Sequence, residues 1–205
     1  MKKRVLAIAL VVALIAIAAF GTLAYFTAET GPVDNTFVLG ELISDNDDFV
    51  LLEHEVSGNS DGTYVTTNET VTENEYANVV PGTDLPKDPF IEIQNGDALE
   101  MDAYLFVEVV AEDMDGYTYA ISDDWTLLSG VSGNNGGLVY YYGTTGIASE
   151  GFTGPVEILK DNQVSVTSNE DAISTNASLD FYSYLIQAGG LDSVSAAWEA
   201  VSAAK

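Results

Sequence analysis

The chain has 205 residues, with 32 Asp and Glu, six Lys and Arg and no cysteine, and its formal net charge is −26. Binding to nucleic acid or to an anionic membrane surface relies on Lys and Arg side chains, so this charge argues against both kinds of partner. Without cysteine there are no disulfides, and the fold must depend on apolar burial. The length suits a single domain with one core.

The first 24 residues have the pattern of a secretory signal peptide. Three basic residues at positions 2–4 precede an apolar run over residues 5–19, and small residues follow. This order is typical of a cleavable signal. The run is shorter than the ~20 residues of a permanent membrane helix, although an uncleaved anchor would share the pattern. Because Thr22 and Ala24 are small, we predict cleavage between Ala24 and Tyr25, with the membrane as a partner only before the cut.

Cleavage at this point would leave residues 25–205, with three basic and 32 acidic residues and a net charge of −29. One interpretation of this charge is solubility and mutual repulsion of copies. The other is tolerance of high salt or binding of divalent cations by Asp-rich loops. We divide the chain into a signal peptide (1–24), an N-terminal strand segment (25–35) and a single β-sandwich domain (36–205).

Short β-prone segments bounded by Gly, Pro, Asn and Asp follow one another along this domain. The predicted strands are residues 25–30, 36–43, 49–56, 90–94, 103–110, 125–128, 138–142, 156–159, 164–166 and 179–188. Residues 57–78 are polar and predict a surface excursion or an inserted hairpin. Residues 79–89 contain three prolines and predict an extended crossover that cannot lie in the middle of a sheet. The pattern predicts an all-β protein, an antiparallel β-sandwich.

Two segments carry the clearest periodicity. Over residues 103–110 the odd-numbered positions are all apolar, and Tyr104, Phe106 and Glu108 share the other face, which predicts a central strand. Over residues 191–204 the apolar residues recur at spacings of three and four, which predicts a short C-terminal helix that lays Trp198 on the sandwich. Asp192 or Ser193 is available to cap its start.

Catalytic motifs are almost absent from the sequence. The single histidine, His54, cannot form the two-histidine site of a zinc protease, and no nucleophile motif surrounds Ser57 or Ser60. We therefore predict that His54 is a solvent-facing strand residue and that the protein is not an enzyme. Two acidic segments have the oxygen density that calcium prefers, without an EF-hand loop. Their candidate ligands are Asp45, Asp47, Asp48, Asp113 and Asp115, and we predict no other metal or cofactor.

Three segments give the chain a resemblance to the TasA/camelysin family of secreted surface-fibre proteins. The first is the end of the signal and the residues beyond it, 21–27 and 34–40, which look like a signal processed by a SipW-type peptidase. The second is the proline-rich segment 79–89. The third is residues 185–191, which lead into the helix of Trp198.

The resemblance implies a jelly-roll sandwich, secretion, and assembly into extracellular fibres of a biofilm matrix or cell surface. In the family, the residues exposed by cleavage act as a donor strand that completes the sheet of the next subunit. The matching residues here are about 25–33, chiefly Tyr25, Phe26, Thr27, Ala28 and Glu29. The implied partners are copies of the chain itself, a SipW-type signal peptidase and accessory matrix proteins. The family's metallopeptidase label is not carried over, because the chain has one histidine.

The donor strand can also be argued without the family. A strand at the start of the mature chain, loosely tied by Gly31 and Pro32, can pair with its own sheet or with the open edge of a neighbour's sheet. The main alternative is a monomeric or anchored surface module that binds carbohydrate or a host ligand through aromatic loops around Trp125 and residues 140–142. A secreted hydrolase is a third hypothesis.

Overall fold

The computed structural model of the protein describes residues 27–30, 42–59 and 61–204. Within these ranges the chain forms thirteen strands and one α-helix, joined by turns and three short 3-10 segments. The strands are β1 (Thr27–Thr30), β2 (Phe49–Gly58), β3 (Tyr64–Val71), β4 (Asp84–Pro86), β5 (Phe90–Ile93), β6 (Ala103–Glu112), β7 (Tyr117–Thr118), β8 (Trp125–Leu127), β9 (Leu138–Tyr142), β10 (Ile147–Ala148), β11 (Val156–Glu157), β12 (Gln163–Val166) and β13 (Ser178–Gln187), and the helix is α1 (Val194–Ala203).

The strands form three antiparallel sheets. The largest has the order β1-β13-β6-β9-β8, with β10 pairing with the start of β6. A four-stranded sheet has the order β11-β5-β2-β3, and a small third sheet has the order β4-β12-β7. Side chains from the two larger sheets share one apolar core, to which Leu105, Val107 and Leu185 contribute from one side and Phe49 and Ile91 from the other. The predicted antiparallel β-sandwich is therefore confirmed.

Alternate residues along β6 face two different apolar clusters, one on each side of the sheet. Leu105 and Val107 face the sandwich core, whereas Tyr104 and Phe106 belong to a second cluster on the opposite face of the same sheet. Helix α1 covers this second face, and its Trp198 ring packs edge-on against Phe106, 5.4 Å between ring centroids. The six-stranded sheet is thus buried on both faces, as the predicted central strand and C-terminal helix require.

The C-terminal helix begins and ends as the sequence predicts. The side chain of Ser193, one of the two predicted caps, accepts a hydrogen bond from the backbone N–H of Ala196 at 3.1 Å. Trp198 and Val201 on its inner face are buried. The cap satisfies one of the free N–H groups of the first turn, and the apolar stripe then holds the helix on the sheet.

The polar excursion is a hairpin, one of the two predicted alternatives. Strands β2 and β3 pair from Glu53–Val71 to Gly58–Tyr64, with a bulge after His54. The proline-rich crossover is also as predicted: Pro86 ends β4, which lies at an edge of the small sheet, where a missing backbone donor costs no ladder bond.

Two features differ from the sequence prediction. The predicted strand 36–43 lies mostly outside the described residues, and its last two residues, Leu42 and Ile43, are buried but do not form a strand. Strand β12 matches the predicted strand 164–166, but its partners β4 and β7 were not predicted, because strands of two or three residues leave almost no periodicity in a sequence.

Candidate functional site

Strand β1, which contains three of the predicted donor residues, lies at one edge of the six-stranded sheet. It runs antiparallel to β13, with Thr27 opposite Ile186, Ala28 opposite Leu185, Glu29 opposite Tyr184 and Thr30 opposite Ser183. Three of the five predicted donor residues, Thr27, Ala28 and Glu29, are thus in the strand. The other two, Tyr25 and Phe26, and the predicted cleavage position at Ala24 lie outside the described residues.

The strand that receives β1 is a core strand rather than an ordinary edge. Residues 183–186 of β13 are all fully buried, and their other side pairs with β6 along the whole length of β13. A buried strand needs backbone partners on both sides, because unpaired N–H and C=O groups are costly away from water. With β1 in place, the edge of β13 has this second backbone partner.

Residues 31–41 connect β1 to the described part of the domain and lie outside the described residues themselves. A fully extended chain spans at most about 3.3–3.6 Å per residue, so these eleven residues can reach roughly 36–40 Å. This is the greatest distance that the connection between β1 and residue 42 can cover.

A second polar cluster surrounds His54 on the four-stranded sheet. The carboxylate of Asp88 lies 2.7 Å from Nδ1 of His54 and also accepts the backbone N–H of His54 at 3.0 Å. The imidazole packs at a tilt on Phe90, 5.5 Å between ring centroids. The prediction that His54 faces solvent is therefore wrong in part. The residue is half-buried, because its contacts with Asp88 hold the proline-rich crossover against β2.

A buried ion pair lies beside this cluster. Nζ of Lys87 lies 2.7 Å from Oε2 of Glu53, and both side chains are largely buried. The same ammonium lies over the ring of Phe181 on β13, 5.8 Å from its centroid. Burial, with the nearby charges of Glu53 and Asp88, raises the pKa of Tyr76, whose hydroxyl donates to the carbonyl of Pro86. These contacts bind the crossover to the sheets.

The predicted calcium ligands do not converge in the structure. Asp45 caps a 3-10 turn by accepting the N–H of Asp47, and buried Asp48 accepts a hydrogen bond from the Asn95 side chain at 2.6 Å. Asp113, at positive φ, and Asp115 lie in the turn after β6. Across residues 27–30, 42–59 and 61–204, no three acidic or histidine side chains are grouped so as to hold a metal ion.

The aromatic residues of the alternative hypothesis lie in strands instead of loops. Trp125 on β8 is buried, and its indole Nε1 donates to the carbonyl of Glu157 at 2.8 Å. Tyr142 packs edge-on between Trp125 and Phe152. Residues 125–128 and 138–142 were predicted as strands, and both segments pair within the six-stranded sheet as expected.

Sequence reasoning missed the role of Glu108, whose side chain is fully buried. Its carboxylate accepts hydrogen bonds from the backbone N–H groups of Asn135 (2.7 Å) and Gly137 (2.9 Å) and from the hydroxyl of Tyr184 (2.8 Å). A Cβ at Gly133 would lie 2.1 Å from Oε1 of Glu108. The sequence does contain a pattern that indicates this role: an acidic residue lies inside the most apolar strand, and a Gly- and Asn-rich loop follows later in the chain.

Comparison of the chain with protein-family models, with curated proteins and with solved structures finds no match. The helical part of the described structure contains nothing with the length and apolar character of a membrane span.

Proposed function

We propose that the protein is a secreted structural subunit of extracellular fibres, in a biofilm matrix or on a cell surface. After signal cleavage it assembles head to tail by donating its N-terminal strand to the next copy. The observation that carries the proposal is the pairing of β1 with the buried edge of β13. The proposal also draws on the resemblance of the sequence to the TasA/camelysin family.

The geometry of strand exchange leads to a polymer. A neighbour's β1 would make the same contacts with β13 that the chain's own β1 makes, so exchange keeps the strand pairing and loses mainly association entropy. A donor at one place and an acceptor at another form a head-to-tail contact that does not close on itself. Such contacts generate filaments, and each added copy presents a new acceptor edge.

In this proposal, signal cleavage determines when assembly can begin. Before the cut, β1 begins three residues after the predicted cleavage position and is fused to a segment that inserts in the membrane. The SipW-type peptidase would then release the strand. The partners are copies of the same chain and accessory matrix proteins, and no catalytic activity is assigned.

Electron microscopy of the purified mature protein tests the proposal. Residues 25–205 should form fibres, whereas residues 34–205 should remain monomeric. The variant Ala28→Pro keeps the length of the strand but removes one of its backbone donors, and it should also fail to polymerise. Excess synthetic peptide 25–33 should bind the truncated protein without restoring fibres. If the chains with and without residues 25–33 both stay monomeric, the proposal fails.

A further inference from the structure

The hairpin of β2 and β3 carries a sequence motif that the proposed function does not use. Residues 68–70 read Asn-Glu-Thr, one of two places where Asn is followed two residues later by Ser or Thr without Pro between them. This motif is the acceptor for N-linked glycosylation in exported proteins. The other place, residues 176–178, reads Asn-Ala-Ser. Because so short a motif also arises by chance, its position in the fold has to show whether it can carry a glycan.

Asn68 lies in the bulge of the hairpin. Strand β3 has two extra residues at this point, so that residues 67–69 face only Glu55 of β2. Within the bulge, the hydroxyl of Thr67 accepts the backbone N–H of Glu69 at 3.1 Å and donates to the carboxylate of Glu55 at 3.3 Å. These contacts hold the residues on either side of Asn68 and place it in the turn between them. Because a bulge bends its strand away from regular pairing, Asn68 projects from the ladder.

The surroundings of Asn68 leave its carboxamide available. All three residues of the motif are exposed, and β3 is the outermost strand of its sheet. Across the described residues, no hydrogen bond engages the side chain of Asn68, whereas the Asn74 and Asn95 carboxamides donate to the His54 carbonyl and the Asp48 carboxylate. The second motif is less accessible, because its third residue is the first of β13 and is half-buried.

We infer that Asn68 carries an N-linked glycan in the exported protein. The inference rests on the proposed function for the export of the chain. The sugar donor is a lipid-linked oligosaccharide phosphate or pyrophosphate, and an oligosaccharyltransferase catalyses the step. A bond forms between Nδ2 of Asn68 and the anomeric carbon of the sugar, while the bond from that carbon to the phosphate oxygen breaks. The lipid phosphate leaves as the anion, and Nδ2 loses one proton. Thr70 supplies the hydroxyl that the motif requires at its third position.

Mass spectrometry of the protein recovered from outside the cells of its native host tests the inference. In a proteolytic digest, the peptide that contains the motif should be heavier than its sequence by the mass of a glycan, and Asn68→Gln should lose that added mass completely. Two changes at one exposed position separate the motif from the fold. Thr70→Ser keeps the hydroxyl and should keep the glycan, whereas Thr70→Val should lose it. Thr66→Val, at an exposed position of β3 outside the motif, is the control and should keep the glycan.

The outcomes distinguish this inference from the fibre proposal. A motif peptide of unmodified mass, in exported protein that begins at Tyr25, would overturn the inference and leave the fibre proposal in place. An added mass that survives Asn68→Gln would be attached to another side chain, and it would also overturn the inference. Glycosylated protein that shows no fibres by electron microscopy would contradict the fibre function alone. Protein found only inside the cell would contradict export, and with it both proposals.

Discussion

Glu157 on β11 occupies a position that suits a neutral side chain better than a charged one. Burial raises the pKa of its carboxyl group, and the charge of Asp88 adds to the effect, while Asn162 and His54 act in the opposite direction. Its Oε2 is buried, and no described group donates a hydrogen bond to it. Because the pKa is raised in the folded state, ionised Glu157 lowers stability at neutral pH. That cost disappears as the pH falls through the raised pKa.

The variant Glu157→Gln should therefore stabilise the protein at neutral pH. The gain should be on the order of 0.5 kcal/mol, because solvent screens this partly exposed group, and it corresponds to roughly 1–2 °C in Tm. Below roughly pH 4 the unmodified side chain is itself protonated, and the two proteins should melt together. Thermal melts across pH measure the difference. Glu73→Gln, at an exposed position, is the control, and an equal gain from it would contradict the explanation.

At the scale of elements, the sequence predicted the strands and the helix in which a regular spacing of apolar residues continues over many positions. The ten-residue strand β6, its partner β13 and the helix around Trp198 were predicted because each places apolar residues at a regular spacing. The acidic residue inside an apolar strand marked Glu108 as unusual, but its particular partner at Asn135, 27 positions away, could not be identified from the sequence. The contact of His54 with Asp88, 34 positions away, was not predictable either, because nothing local in a sequence records such pairings.

The pairing of β1 with β13 offers a direct test of strand exchange. Thr30 is opposite Ser183 in an antiparallel pair, in which Cα atoms are about 4.5–5.5 Å apart, a separation that a disulfide can bridge. Since the chain has no cysteine of its own, Thr30→Cys/Ser183→Cys adds a single disulfide. Oxidised at low concentration, the variant should stay monomeric, because β1 is then locked in its own sheet. Reduction should restore fibres, which electron microscopy would detect.

A second disulfide, placed in a different sheet, controls for the effects of cysteine substitution and oxidation. Ser165 of β12 is opposite Thr118 of β7 in the small sheet, so Thr118→Cys/Ser165→Cys adds a disulfide that leaves β1 free. This variant should form fibres whether oxidised or reduced. Fibres from the oxidised Thr30→Cys/Ser183→Cys monomer would mean that polymerisation does not require β1 to leave its own sheet.

For the whole molecule, charge opposes assembly. The predicted mature chain carries 32 acidic and three basic residues. Two of those basic residues, Lys87 and Lys160, are paired within the chain, so they offer little attraction to another copy. Copies therefore repel one another, and the proposed strand exchange would have to overcome this repulsion in addition to the entropy of association.

Fibre formation should therefore increase with salt, with calcium and with lower pH, each of which weakens the repulsion. Screening shortens from about 10 Å at 0.1 M salt to about 3 Å at 1 M, so light scattering should rise steeply over that range. Sodium and calcium chlorides at equal ionic strength separate screening from cation binding by the acidic loops.

The chain lacking residues 25–33 has nearly the same charge, and it should scatter little under all three conditions if assembly depends on the strand. A rise in that truncated chain equal to the rise in the full mature chain would show charge-controlled precipitation in place of strand exchange. Scattering of the mature protein that stays flat under all three conditions would remove charge as the barrier to assembly.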